Sequence, residues 1–262
     1  MRRLSFFLFP ALLVVSLPVG ATDIVGKVTV TAKFIEQLDS LEQQSEGARG
    51  YWNEPNGVKA IAPPTVNPAS DFGVVLVKDG QGDMPADEVK SLNVLTGRLE
   101  KTVTVIRPKS RIKFIMRSPF DHELYSPGKH DFKPQMQSAN TFRPIDFYSA
   151  GVFEVKCMLF PGLKGWIVVF PATRILELDD SGAFKVDDLA PGKYHLKVFF
   201  NGGWIHDQLV EVDGSRQEIA VELTRPTPAS PAEAKEKVEE KNDGGEKGAG
   251  EKKEDSKPGK QE

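Results

Sequence analysis

One cysteine and four histidines occur in the 262 residues, and they limit what chemistry the chain could do. Cys157 and His122 could in principle form a thiolate-imidazolium pair for nucleophilic work. That chemistry also needs a third group to orient the base and donors for a developing oxyanion, and neither is indicated. His122 stands between Asp121 and Glu123. Three adjacent polar residues on a loop make no acid/base constellation without a partner placed elsewhere. His195 and His206 flank Phe199-Phe200-Asn201-Gly202-Gly203-Trp204, which a hairpin with a Gly-Gly turn explains without a ligand. The acidic pairs Asp179-Asp180 and Asp187-Asp188 lack the spacing of a dedicated calcium loop and read as turn residues. No phosphate-cradling glycine motif, zinc spacing or triad signature is present, so no enzyme is expected.

Whatever these residues do, β-structure must position them. Hydrophobic residues make up 39% of the chain, with 19 prolines and 23 glycines and no long helical periodicity, which points to many short strands joined by turns. Residues 23–34 alternate, with Ile24, Val28, Val30, Ala32 and Phe34 on one side and Lys27, Thr29, Thr31 and Lys33 on the other, as a half-buried strand would. A short helix could follow through Phe34, Leu38 and Leu41. Residues 51–68, with Pro55, Gly57, Pro63, Pro64 and Pro68, read as a long irregular loop whose Tyr51-Trp52 pair covers a core edge or faces a ligand. An apolar strand is expected over 72–78. Strand signals then recur at 102–107, 111–116, 145–148, 152–157 and 165–170, and a second, tighter series follows at 174–178, 183–186, 194–200, 208–212 and 217–223.

The two ends differ from the middle. Arg2 and Arg3 precede an apolar run broken by Pro10 and Pro18, and Val19-Gly20-Ala21 offers a small-residue cleavage site, so residues 1–21 read as an export signal. The expected location is periplasmic or extracellular, with no membrane span in the mature chain. A lone thiol in such a compartment is expected to be buried or chemically employed. Residues 225–262 carry one large aliphatic residue, Val238, among Lys, Glu, Gly, Ala and Pro, and are expected to form a disordered tail. The formal net charge of −3 supplies no basic field for nucleic acid.

Two stretches carry resemblances. Ser118-Pro119-Phe120-Asp121-His122-Glu123-Leu124 and Ala150-Gly151-Val152-Phe153-Glu154-Val155-Lys156-Cys157 resemble, within residues 103–170, the cupredoxin-like (plastocyanin/azurin-like) family. The first matches the loop with that family's first copper-binding histidine, and the second matches the strand ending at its copper-binding cysteine. The resemblance implies a Greek-key sandwich in which His122 and Cys157 meet as metal ligands. It also implies a second histidine and a methionine shortly after the cysteine, where this chain has Phe160 and Leu163. A blue-copper site needs two imidazoles and a thiolate in a trigonal plane with a weak axial ligand. With those ligands replaced, the copper site is expected to be degenerate, no cofactor is expected, and Cys157 becomes a small buried hydrophobe. His130, in the turn after Pro127-Gly128-Lys129, is the remaining histidine nearby.

The second stretch is Asp179-Asp180-Ser181-Gly182-Ala183-Phe184-Lys185-Val186 with Leu189-Ala190-Pro191-Gly192-Lys193-Tyr194-His195-Leu196-Lys197-Val198. It resembles the carboxypeptidase regulatory-like, transthyretin-like β-sandwich, in which a Gly-x-Val strand such as Gly26-Lys27-Val28 comes first. The expected organisation is therefore all-β. After the signal at 1–21, residues 22–88 complete the sandwich of 171–224, with a cupredoxin-like domain at 89–170 inserted between them and the tail at 225–262. Sequential, separate domains are the alternative. Two functions are compatible with this reading. One is an exported non-catalytic binding or structural module that contacts an unknown protein or the cell envelope. The other is a copper-handling or electron-transfer protein using His122 and Cys157.

Overall fold

The structure, a computed structural model, describes residues 22–47, 65–80, 88–128 and 132–227. The expected export signal at 1–21, the expected loop that carries Tyr51-Trp52, His130 and residues 228–262 lie outside the described residues. In chain order the elements begin with β1 (Thr22–Val30), α1 (Ala32–Gly47), α2 (Pro68–Asp71) and β2 (Gly73–Lys78). Next come β3 (Val89–Leu95), β4 (Arg98–Leu99), β5 (Val103–Ile106), β6 (Ser110–Met116), β7 (His122–Tyr125), β8 (Gln135–Gln137), β9 (Phe142–Phe147), β10 (Gly151–Cys157) and β11 (Lys164–Val169). The series closes with β12 (Arg174–Leu176), β13 (Ala183–Leu189), β14 (Gly192–Phe200), β15 (Gly203–Val212) and β16 (Gln217–Leu223). Among the described residues no helix is long and apolar enough to cross a membrane.

The strands form four sheets, in the orders β13-β1-β16, β12-β2-β14-β15, β5-β11-β10-β7-β8 and β4-β3-β6-β9. The first two sheets enclose one core built on Ile24, Val28, Val74, Leu76, Tyr194, Leu196 and Val221. The last two enclose a second core built on Ile112, Phe114, Leu124, Val155, Cys157, Leu163 and Ile167. The chain is thus all-β, and the described residues form two sandwiches with one helix of more than a single turn.

β1 is the central strand of its sheet, parallel to β16 and antiparallel to β13, and β2 lies between β12 and β14. Gly26 is required in the middle of β1: a Cβ there would lie 2.3 Å from the Phe184 ring and 2.7 Å from the Ile219 carbonyl oxygen. The alternation read through Phe34 stops earlier, because the chain turns into α1 at Ala32. Thr31 caps this turn with its hydroxyl, which accepts from Phe34 N at 3.3 Å. Phe34 and Leu38, four residues apart on one helical face, then close the end of the first core.

Four strands escape the sequence pattern. β3, β4, β7 and β8 are short or carry polar residues at alternate positions, and His122-Glu123, read above as a loop, begins β7. β9 starts at Phe142, three residues before the expected 145. Its Pro144 is tolerated because β9 is an edge strand, where a missing N–H costs no ladder bond. β15 begins at Gly203, so the β14–β15 hairpin turns on Asn201 and Gly202, both at positive φ (41° and 93°).

A third buried cluster joins the sandwiches. Val75 and Phe199 from one side meet Val103, Val105 and Val168 from the other, with Ala172 between. Gly73 permits this approach, since a Cβ there would stand 2.5 Å from Val105 and 2.8 Å from Val103. Arg107 reinforces the seam by donating to the Ala172 and Thr173 carbonyls at 2.8 and 3.0 Å. At its edge Glu177 accepts from Lys90 at 2.7 Å and also from Lys101.

Candidate functional site

His122 opens β7 and Cys157 closes β10, and the two strands pair antiparallel through Lys156↔Tyr125 and Cys157↔Leu124. Both side chains point into the second core, with relative exposures of 0% and 2%. The Cys157 sulfur lies 3.7 Å from His122 Nδ1 and also accepts from the Glu123 backbone N–H at 3.4 Å. The Met158 N–H donates to the Glu123 carbonyl at 3.0 Å, extending the pairing one residue past the cysteine.

β7 itself is held by a residue that the spacing of the sequence did not single out. Arg143 on β9 is 8% exposed and donates to the Leu124 carbonyl at 2.8 Å and the Lys133 carbonyl at 2.9 Å. Its guanidinium lies 5.1 Å from the Phe132 ring centre. Burial lowers its affinity for the proton, and the two carbonyls offset part of that desolvation cost. An arginine inside an alternating strand was the available signal.

Phe160 and Leu163 follow on the loop leading from β10 to β11. The Phe160 ring stacks on the His122 imidazole with centroids 4.7 Å apart and planes inclined by 26°. Leu163 is 1% exposed within the second core, and its N–H donates to the Phe160 carbonyl at 2.9 Å, tightening the loop. Phe120 leans on Phe160 at 6.2 Å. Phe120 and, on the stretch between Cys157 and Phe160, Met158 and Leu159 are exposed at 54%, 55% and 47%.

Burial pushes the His122 imidazole below its ordinary proton affinity, against a smaller upward pull from the Asp121 carboxylate. The neutral ring has one N–H to place. Whether Nδ1 donates to or accepts from the thiol, the buried Nε2 has no hydrogen-bond partner among the described residues. The site therefore offers one imidazole nitrogen and one sulfur facing each other, with a phenyl ring against the imidazole. Among the described residues no group of three or more His, Cys, Asp or Glu side chains converges as metal ligands. Two donors do not fit the trigonal His-His-Cys set of a blue-copper centre, and neither Phe160 nor Leu163 has a lone pair to complete it.

The remaining described histidines and the acidic turns belong to the other sandwich. His195 on β14 contacts Asp207 through Nδ1 at 2.8 Å and Asp79 through Nε2 at 3.3 Å, with Lys197 also on Asp207. His206 on β15 meets the Gln208 amide oxygen through Nε2 at 3.4 Å. Asp179 accepts from Ser181 N, Ser181 Oγ and Ala183 N at 2.8–2.9 Å, a side-chain-capped turn. Asp187 pairs with Lys185.

No protein-family model matches the chain, and no curated protein matches it. Among solved structures, the chain is similar to a reduced-state proline-to-phenylalanine mutant of amicyanin, at 16% identity over 37% of this chain and 99% of that one, with a TM-score of 0.30. An oxidised methionine-to-lysine mutant of amicyanin gives the same values. A purple cupredoxin from Nitrosopumilus maritimus is similar at 13% identity over 31% of this chain and 99% of that one, with a TM-score of 0.28.

Proposed function

We propose that this chain is an exported, non-catalytic β-sandwich protein, a binding or structural module of the cell envelope whose cupredoxin-like copper site has been lost. The supporting observation is the Phe160 ring, stacked 4.7 Å from the His122 imidazole on the loop where the resemblance calls for a second imidazole. A phenyl ring cannot donate an electron pair to a metal, and its bulk against His122 adds a packing contact instead. The exposed apolar side chains Phe120, Met158 and Leu159 favour contact with a protein or envelope component over a small polar substrate. The net charge of −3 argues against nucleic acid as the partner. Residues 1–21 would direct the chain to the periplasm or beyond and then be removed.

A second reading, copper handling through His122 and Cys157, draws on one observation. A soft sulfur and an imidazole nitrogen already face each other at 3.7 Å. It requires a third donor from outside the described residues.

Titrating the full exported chain with Cu(II), and with Cu(I) under reducing conditions, separates the two readings. The module reading expects weak, non-stoichiometric uptake with Cys157 still unreactive, and fractionation that finds the chain outside the cytoplasm. A tight one-to-one complex with intense thiolate-to-copper absorption would replace it with the copper-handling reading.

A further inference from the structure

We propose that the tip of the β14–β15 hairpin, Asn201-Gly202, is a positioning element for the loop that seals the His122–Cys157 pair, so that access to the buried thiol is controlled from the other sandwich. The inference is independent of whether the pair ever holds a metal.

The contacts run from the hairpin tip to the loop in three steps. The tip sits on Trp166: a Cβ at Gly202 would lie 2.9 Å from the indole Cη2 and 3.0 Å from Cζ2, closer than a side chain tolerates. Only a glycine, here at φ 93°, lets the backbone lie against the ring. Next to it the Asn201 amide oxygen faces Lys164 Nζ at 3.5 Å, and the same ammonium stands 5.1 Å from the Trp166 ring centre. Lys164 and Trp166 are the first and third residues of β11, and the sealing loop ends at Leu163.

What holds the Trp166 ring makes this brace consequential. Among the described residues its buried Nε1 has no hydrogen-bond partner, so no directional bond from them fixes the indole. Packing alone does so: Gly202 on one side, Phe199 at 6.4 Å edge-on, and Lys164 over a face. Strand entry beneath the ring is equally close-fitting. Gly165 packs against Leu99 with room for no Cβ (2.4 Å), and the Trp166 N–H donates to the Thr102 carbonyl at 2.7 Å. A displaced tip frees the ring, the ring frees the start of β11, and the loop that presses Phe160 onto His122 loses its fixed end.

The experiment reads the chain's single thiol. Reaction of Cys157 with a chromogenic disulfide reagent is followed on the full exported chain, without denaturant and across a denaturant series below the unfolding midpoint. Gly202→Ala carries the test. Gly97→Ala is the control, because Gly97 also has a positive φ (71°) but would place its Cβ within 4 Å of nothing. Gly202→Ala is expected to react about tenfold faster than Gly97→Ala, with a rate nearly independent of denaturant, the signature of local opening. Equal rates in the two variants, or a Gly202→Ala rate that climbs with denaturant as steeply as global unfolding, would overturn the proposal. Should Gly202→Ala fail to fold, Lys164→Ala decides, since that side chain is 48% exposed and its loss leaves the core intact. Severalfold faster labelling then supports the brace, and an unchanged rate overturns it.

Discussion

Phe160 lies face to face with His122, ring centres 4.7 Å apart, so the imidazole that contacts the only thiol of the chain is covered by a hydrocarbon ring. The pair is thereby shut inside the second core, with relative exposures of 0% and 2%.

Placing donors at positions 160 and 163 tests the proposed loss of a copper site. The wild-type chain with equimolar Cu(II) is expected to show no intense thiolate-to-copper absorption, because two donors cannot form the trigonal environment. Phe160→His plus Leu163→Met is expected to gain it. Visible absorption of both proteins checks this, and a coloured wild type would refute the proposed loss of the site.

Replacing the buried imidazole is expected to cost little. His122→Leu removes a nitrogen that has no partner in a fully buried ring, so stability should be unchanged or higher by up to ~1 kcal/mol in denaturant unfolding. The pH dependence follows from the same burial. The unfolded imidazole takes up a proton near 6.5 and the native one only at lower pH, so between those values the unfolded state binds more protons. Wild-type stability should therefore fall relative to His122→Leu as pH drops below about 6.5, by no more than ~1.4 kcal/mol per pH unit. The difference should level off below the native value. Stability curves that stay parallel from pH 7 to 5 (~2 units) would show that the native ring protonates freely.

Glu177 reports on the seam. Burial alone would raise its carboxyl, but the ammonium groups of Lys101 and Lys90 outweigh that and hold it at about 2, against 4.5 when unfolded. Its contribution is complete above 4.5 and is lost as pH falls through about 2. The side chain is 57% exposed, so Glu177→Gln should cost under ~1 kcal/mol at neutral pH. The cost should shrink with added salt and vanish near pH 2. A cost that persists in high salt would mean the residue acts through packing.

The aromatic centre of the seam should matter far more. Phe199 is 0% exposed and meets Trp166 and Trp204 edge-on, so Phe199→Ala should lower unfolding free energy by roughly 3–5 kcal/mol. The wild-type chain should unfold in one transition by both tryptophan fluorescence and circular dichroism, since the two cores share this cluster. Two resolved wild-type transitions would show the seam to be weaker than its packing suggests.

A fragment of residues 171–227 is expected not to fold. It lacks β1, the central strand of one sheet, and β2, an inner strand of the other, and would leave β13, β16, β12 and β14 with open edges. Circular dichroism during a urea titration checks this, and a cooperative transition in the isolated fragment would contradict it.

Much of this protein is written locally. Alternation over Ile24 and Val28, or over Leu196 and Val198, marks a face that must leave water, and the glycine and proline punctuation limits each run to strand length. The Asp179 turn and the hairpin at Asn201-Gly202 follow from residues that cap a turn or accept positive φ. The all-β class and the absence of a phosphate, zinc or triad motif needed nothing beyond the sequence.

Other features exist only once the sheets have packed. β7 opens with an imidazole and a carboxylate, His122 and Glu123, and becomes a strand because Arg143 and β10 capture it. Gly73 and Gly202 read as ordinary turn or strand glycines until another sandwich presses on them. Glu177 meets Lys90 and Lys101 across separations of 87 and 76 residues. Periodicity records which side of a strand is dry, a property of neighbours two residues apart. Which distant strand dries it, and which ring comes to lie on His122, depends on burial summed over the whole fold, and no local window contains that sum.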